Sequence, residues 1–113
     1  MDRETPPLEK GPEFRDFSEG AFRLYQTITQ LGDSIETDDT SKGTVNLMGR
    51  MRAETAASLL KELPKELDES MLAFRTKILA ECLLGLRNLN SEDVRDKELK
   101  EEALNIIEQL KTL

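Results

Sequence analysis

Four stretches of this chain repeat their apolar residues at steps of three and four, and none alternates them at steps of two. A spacing that averages 3.6 gathers side chains on one side of an α-helix, whereas alternation would gather them on one face of a strand. Phe14, Phe17, Ala21, Leu24, Ile28, Leu31 and Ile35 form the first stripe. Leu99, Ala103, Ile106, Leu110 and Leu113 form the last. Between them, a second helix over Thr44–Leu63 collects Val45, Met48, Ala56, Leu59, Leu60 and Leu63 on one side. A third helix over Lys65–Leu89 carries Leu67, Met71, Phe74, Ile78, Cys82 and Leu89, widened by Leu72, Leu79, Leu83 and Leu86. Amphipathic helices joined by short links bury their apolar sides against each other, since each alone is marginal in water. The pattern predicts an all-α chain: an antiparallel four-helix bundle over residues 13–113, behind a flexible N-terminal tail at residues 1–12. That tail, MDRETPPLEKGP, holds three of the four prolines.

Local signals set the expected boundaries. Asp16 and Glu19 have the spacing of a capping box. The stretch from Gly32 through ETDDTSKG supplies breakers for a loop, and Pro64 separates the second helix from the third. Asn90-Ser91-Glu92-Asp93 offers capping side chains and acids where the fourth helix begins. Gly49 and Gly85 lie inside helices at a cost in stability, which makes sense where two backbones approach closely. Met48, Met51 and Met71 fit most simply as core filler, though methionine also suits adaptable surfaces. The third stripe spans about half the helix circumference, wider than a surface helix needs. It implies either the most buried helix of the bundle or a contact with a second subunit.

Composition narrows the chemistry. The chain has 113 residues, enough for one domain and one core. It contains no histidine, which removes both the commonest general base and the commonest zinc ligand. Cys82 is the single cysteine, with no histidine to activate it and no mate for an internal disulfide. The acidic loop DSIETDDTSKG lacks the alternating acids and the sixth-position glycine of a calcium-binding loop. Glu101 and Glu102 are adjacent and diverge on a helix. The Glu-x-x-His signature of di-iron bundles is absent, as is a glycine-rich phosphate loop. These features predict a chain that is not an enzyme, with no metal and no cofactor. The polar, proline-bearing start is unlike a signal peptide, and no apolar run approaches a membrane span, so the expected location is cytoplasmic.

Charge is unevenly spread. The formal net charge is −7, with ten acidic and five basic residues in 1–43 and seven against four in 91–113. Residues 44–64 carry three basic against two acidic, and residues 65–90 four of each. Within that less acidic middle, Arg52 falls on the wheel between Leu59 and Val45, and Arg75 between Cys82 and Leu86. A buried arginine without a partner is costly. Each therefore pairs with an acid, Glu81 or Asp68 being the candidates, snorkels out to solvent, or faces a partner or an anionic ligand between helices two and three. Arg50 and Lys77 lie beside them, and Arg50, Arg52, Arg75 and Lys77 are the candidate partner-binding residues. Phe22, Leu84 and Leu104 fall off the main stripes, either as scattered exposed residues of the ordinary kind or as an apolar patch suited to self-association or a partner.

The opening FRDFSEGAFRLYQ, the run LMGRMRAETAAS in helix two, AFRTKILAECLLGL in helix three and the closing EALNIIEQLKTL form a pattern over residues 14–113. It resembles the four-helix proteins encoded in 23S rRNA intervening sequences, and is similar to the accessory variability determinants of diversity-generating retroelements. The resemblance implies a ring-like homo-oligomer with a nucleic-acid role, and Arg50 and Arg52 at the family's basic positions of helix two. Two features depart from it. LLKELP stands where that family has an Asn-x-x-Glu-Gly segment, and this chain is acidic where the family is basic. The leading expectation is an interaction module, homo-oligomeric, that binds a protein partner through helices two and three. The alternative is a nucleic-acid-associated accessory protein, which the net charge disfavours.

Overall fold

The computed structural model describes residues 13–34 and 40–113, of which 40–43 by backbone alone. The tail at 1–12, Ile35 and most of the acidic loop lie outside the described residues. Four helices follow in chain order: α1 (Phe17–Ser34), α2 (Thr40–Lys61), α3 (Glu69–Arg87) and α4 (Val94–Lys111). No strand occurs among the described residues. Helix α1 packs against α2 and α4, and α3 packs closely on α2 and more lightly on α4. Cross-helix contacts fix the directions. Lys61 meets Tyr25 while Arg50 meets Gly32. Arg52 meets Glu81 while Asn46 meets Asn90. Thr27 meets Glu102 while Ser34 meets Asp96. Each of these pairs runs antiparallel, which makes the molecule an up-down-up-down bundle.

The helix ends show how the sequence encodes its boundaries. The Asp16 carboxylate accepts from the Ser18 amide at 2.8 Å and binds Lys65 Nζ at 3.1 Å, so α1 opens at Phe17. Helix α2 begins at Thr40, four residues before the expected start, because Gly43 lies inside it rather than in the loop. It ends at Lys61 rather than Leu63, where Pro64 disfavours helical backbone at the residue before it. Tight turns from Glu62 to Leu59 and from Leu63 to Leu60 close that end. Helix α3 starts at Glu69 rather than Lys65, since the cap is Asp68, whose carboxylate accepts from the Met71 amide at 2.9 Å. In the 90–93 segment Asp93 caps α4 through the Arg95 and Asp96 amides, at 2.8 and 3.3 Å. Asn90 is used elsewhere: its backbone and the Asn46 side chain exchange two hydrogen bonds, both 2.9 Å.

The core takes Leu24, Ile28 and Leu31 from α1, Leu60 from α2, Leu79 and Leu86 from α3, and Ile106, Ile107 and Leu110 from α4, all essentially inaccessible to water. Between α2 and α3 the interface is made of small residues instead. A Cβ on Gly49 would lie 2.8 Å from Gly85 O, and one on Gly85 2.7 Å from Gly49 O. This is the close backbone approach expected at these two glycines. Ala53, Ala56 and Ala57 continue the seam, and Cys82 Sγ lies 3.5 Å from Ala53 O.

That seam rotates α2 away from the face expected of it. Asn46, Gly49, Ala53, Ala56, Ala57, Leu60 and Leu63 point inward, whereas Val45, Met48 and Leu59 are exposed. Met48 and Met51 are therefore not core filler; only Met71 packs against the core, and partly. Nor is α3 the most buried helix. It buries six of its 19 residues where α1 buries eight of 18, and Leu72, Phe74 and Leu84 face outward. Val45, Met48 and Leu59 were expected on the inner side with Ala56, Leu60 and Leu63, and only the last three are there. Close helix approach instead rewards the residues that let backbones meet.

Candidate functional site

The rotation of α2 puts large apolar side chains on the outside. Among the described residues, eight of the eleven exposed large hydrophobic side chains lie on α2 or α3: Val45, Leu47, Met48, Met51, Leu59, Leu72, Phe74 and Leu84. Of these, Met51 and Leu59 come beside Ile78 of α3 on one flank of the hairpin, where Gly49 and Gly85 let the two backbones meet. Along the flank of this hairpin runs a groove of about 320 Å³, walled by Met51, Arg52, Thr55, Ala56, Leu59, Ile78 and Glu81. In the register set by the Gly49–Gly85 and Arg52–Glu81 contacts, Phe74 falls opposite Leu59 and prolongs the groove by about one turn. A contiguous apolar strip rimmed by charge is the usual make-up of a docking surface.

One ion pair crosses the strip. Arg52 Nε donates to Glu81 Oε1 at 2.6 Å, with both side chains close to half exposed, 44% and 48%. The hydrogen bond from Arg52 holds the Glu81 carboxyl below its ordinary range, against the opposing effect of desolvation, and the Arg52 and Lys77 charges add to the shift. The same bond raises the Arg52 guanidinium above its own ordinary value. Of the two acids expected as candidates for these arginines, Glu81 takes Arg52, and Asp68 serves as the α3 cap.

The structure separates the four candidate partner-binding residues. Arg52 and Lys77 share the outer flank, each affecting Glu81. Arg50 turns to the opposite flank of α2, where its Nη1 donates to Gly32 O at 2.9 Å and its stem fills the space above that glycine. Arg75 is buried at 8% exposure, its guanidinium 5.1 Å from the centre of the Phe17 ring and its Nε without a hydrogen-bond partner. Phe22, Leu84 and Leu104 also stand apart. Leu104 packs on the core, Phe22 lies on α1 with Lys61 Nζ 5.6 Å from its ring, and Leu84 alone belongs to the outer face of α3. Reasoning from the sequence missed the groove itself. Its signal was Gly49 with Ala53, Ala56 and Ala57: a small-residue stripe inward implies that the large residues between them point out.

A second cavity of about 180 Å³ lies at the α3–α4 link, lined by Leu31, Leu89, Asn90, Ser91, Asp96, Lys97 and Lys100. Its polar groups hold the fold together. Buried Asp96 accepts from the hydroxyls of Ser34 and Ser91, and Lys100 Nζ caps the Leu89 carbonyl at 3.0 Å. Cys82 is fully buried, and burial pushes its thiol up to about 12, with the Glu81 charge adding to the effect. Such a thiol carries no thiolate at neutral pH. Among the described residues no group of three or more His, Cys, Asp or Glu could hold a metal ion. Among them, too, no helix is long and apolar enough to cross a membrane. Comparison with known proteins gives no matching family model, no matching curated protein and no matching solved structure.

Proposed function

We propose that this chain is a non-enzymatic, homo-oligomeric interaction module that takes up a protein surface along the outer face of α2 and α3. One observation carries the reading: the groove between Met51, Leu59 and Ile78, with Met48, Phe74 and Leu84 exposed around it. Apolar side chains of this size on one face lose free energy to water that a complementary apolar surface would recover. The Arg52–Glu81 pair across the groove supplies polar register without net charge.

The nucleic-acid reading, with its resemblance to intervening-sequence proteins, draws on Arg50, Arg52, Arg75 and Lys77. Its support is weaker, because phosphate contacts need exposed cations side by side. Here Arg75 is buried, Arg50 faces the α1 flank, and Arg52 is engaged by Glu81.

Affinity capture from the host, using the wild-type chain and Leu59→Asp in parallel, separates the two readings. The docking reading expects protein that survives a wash in about 0.5 M salt, where phosphate contacts are largely lost. It also expects Leu59→Asp to lose that protein. Capture of nucleic acid that washes off with salt and is indifferent to Leu59→Asp would overturn it.

A further inference from the structure

Resting on the docking reading, we propose that the occupant of the outer α2/α3 face is a second copy of this chain, related by a two-fold axis through the Arg52–Glu81 pair. The first ground is charge. The chain carries a net −7, so two copies repel over most of their surfaces. Helices α2 and α3 are the exception. Helix α2 has Lys42, Arg50, Arg52 and Lys61 against Glu54, and α3 has Arg75, Lys77 and Arg87 against Glu69 and Glu81. On the outer face itself Arg52 and Glu81 cancel and Lys77 adds a positive charge, so this strip carries no net negative charge where two acidic molecules would meet.

The second ground is the geometry of the pair. Arg52 lies on one helix of an antiparallel hairpin and Glu81 on the other. A two-fold axis between them sets Arg52 of each copy against Glu81 of its mate, so the four charges alternate in sign around the axis. An isologous interface requires this kind of self-complementarity. Among the described residues, this pair is joined by the one Arg52 Nε–Glu81 Oε1 bond, at 2.6 Å. The terminal guanidinium nitrogens and Glu81 Oε2 remain for the second copy. Both side chains are about half exposed, so they are within its reach. Met48, Met51, Leu59, Phe74 and Leu84 then form the apolar surround that excludes water from the four charges. A head-to-tail contact of this face on an acidic surface elsewhere would give open chains instead of a closed dimer.

Sedimentation velocity of the full chain tests this through charge exchange. Wild type is expected to sediment as a dimer. R52E and E81R each place like charges across the axis, and each is expected to weaken self-association about tenfold or more. An equimolar mixture of R52E and E81R restores opposite charges at both contacts and is expected to recover the dimer. Far-UV circular dichroism of each variant confirms that it is folded, and Met51→Asp gives an independent disruption of the same face. Association unchanged by R52E and E81R, failure of the mixture to recover, or growth beyond a dimer would overturn the two-fold arrangement. A wild-type monomer at every concentration would overturn it too, while protein captured from the host and lost by Leu59→Asp would leave the docking reading standing.

Discussion

At the scale of single residues, Gly85 has the least freedom to change. Alanine there would gain about 1 kcal/mol in helix propensity. Its methyl group, however, would sit 2.7 Å from Gly49 O and 2.9 Å from the Ala53 amide nitrogen, both backbone atoms that cannot swing aside. Forcing two helices apart costs about 1–3 kcal/mol, and more where backbone must move. Gly85→Ala is therefore expected to lower stability by about 1–2 kcal/mol in urea unfolding, the reverse of what propensity alone dictates. Cys82 lies on the same seam, fully buried with its thiol raised to about 12. Its alkylation by a maleimide should be negligible in the native protein and should appear with the unfolding transition. Rapid labelling of the folded chain would show that the α2–α3 seam opens.

At the scale of elements, the neighbours Leu59 and Leu60 report the rotation of α2 directly. Leu60 is fully buried and Leu59 is 45% exposed. At concentrations low enough to keep the chain monomeric, Leu60→Ala is expected to cost about 2–5 kcal/mol, and Leu59→Ala well under 1 kcal/mol, by urea unfolding. Equal costs would mean that both leucines face the core. The start of α3 gives a pH dependence. The Met71 amide, then the Ser70 hydroxyl, hold the Asp68 carboxyl below its ordinary 3.8. A carboxylate whose pKa is depressed by folding lends stability that is complete above its unfolded value and vanishes as pH falls through its folded value. Asp68→Ala should therefore melt lower than wild type at pH 7, and the two melting temperatures should converge as pH falls below 3.8.

Across the whole molecule, helix number, order and direction were legible in the sequence, and so were the stripes of α1 and α4. Phe17, Ala21, Leu24, Ile28 and Leu31 of α1, and Leu99, Ala103, Ile106 and Leu110 of α4, turn inward as their spacing dictates, whereas Leu113, expected on the last stripe, lies past the end of α4 and is exposed. The faces of α2 and α3 were less legible, because the weight given to Val45, Met48, Leu59 and Phe74 overrode the alanines and glycines between them. Side-chain size ranks residues for burial only where helices stand at an ordinary distance; where backbones touch, smallness decides. The groove and the strip around it follow from that one rotation, while Arg50 and Arg52, two residues apart, diverge on any α-helix. The second copy proposed above would sit over the outer α2/α3 face, where Met51, Leu59 and Phe74 are left in water. Its most direct test is sedimentation equilibrium on the wild-type chain and on Leu59→Asp, over a range of concentrations. The account predicts a wild-type mass approaching twice 12.8 kDa and a folded Leu59→Asp at 12.8 kDa. The same mass for both proteins, whether monomer or dimer, would contradict it.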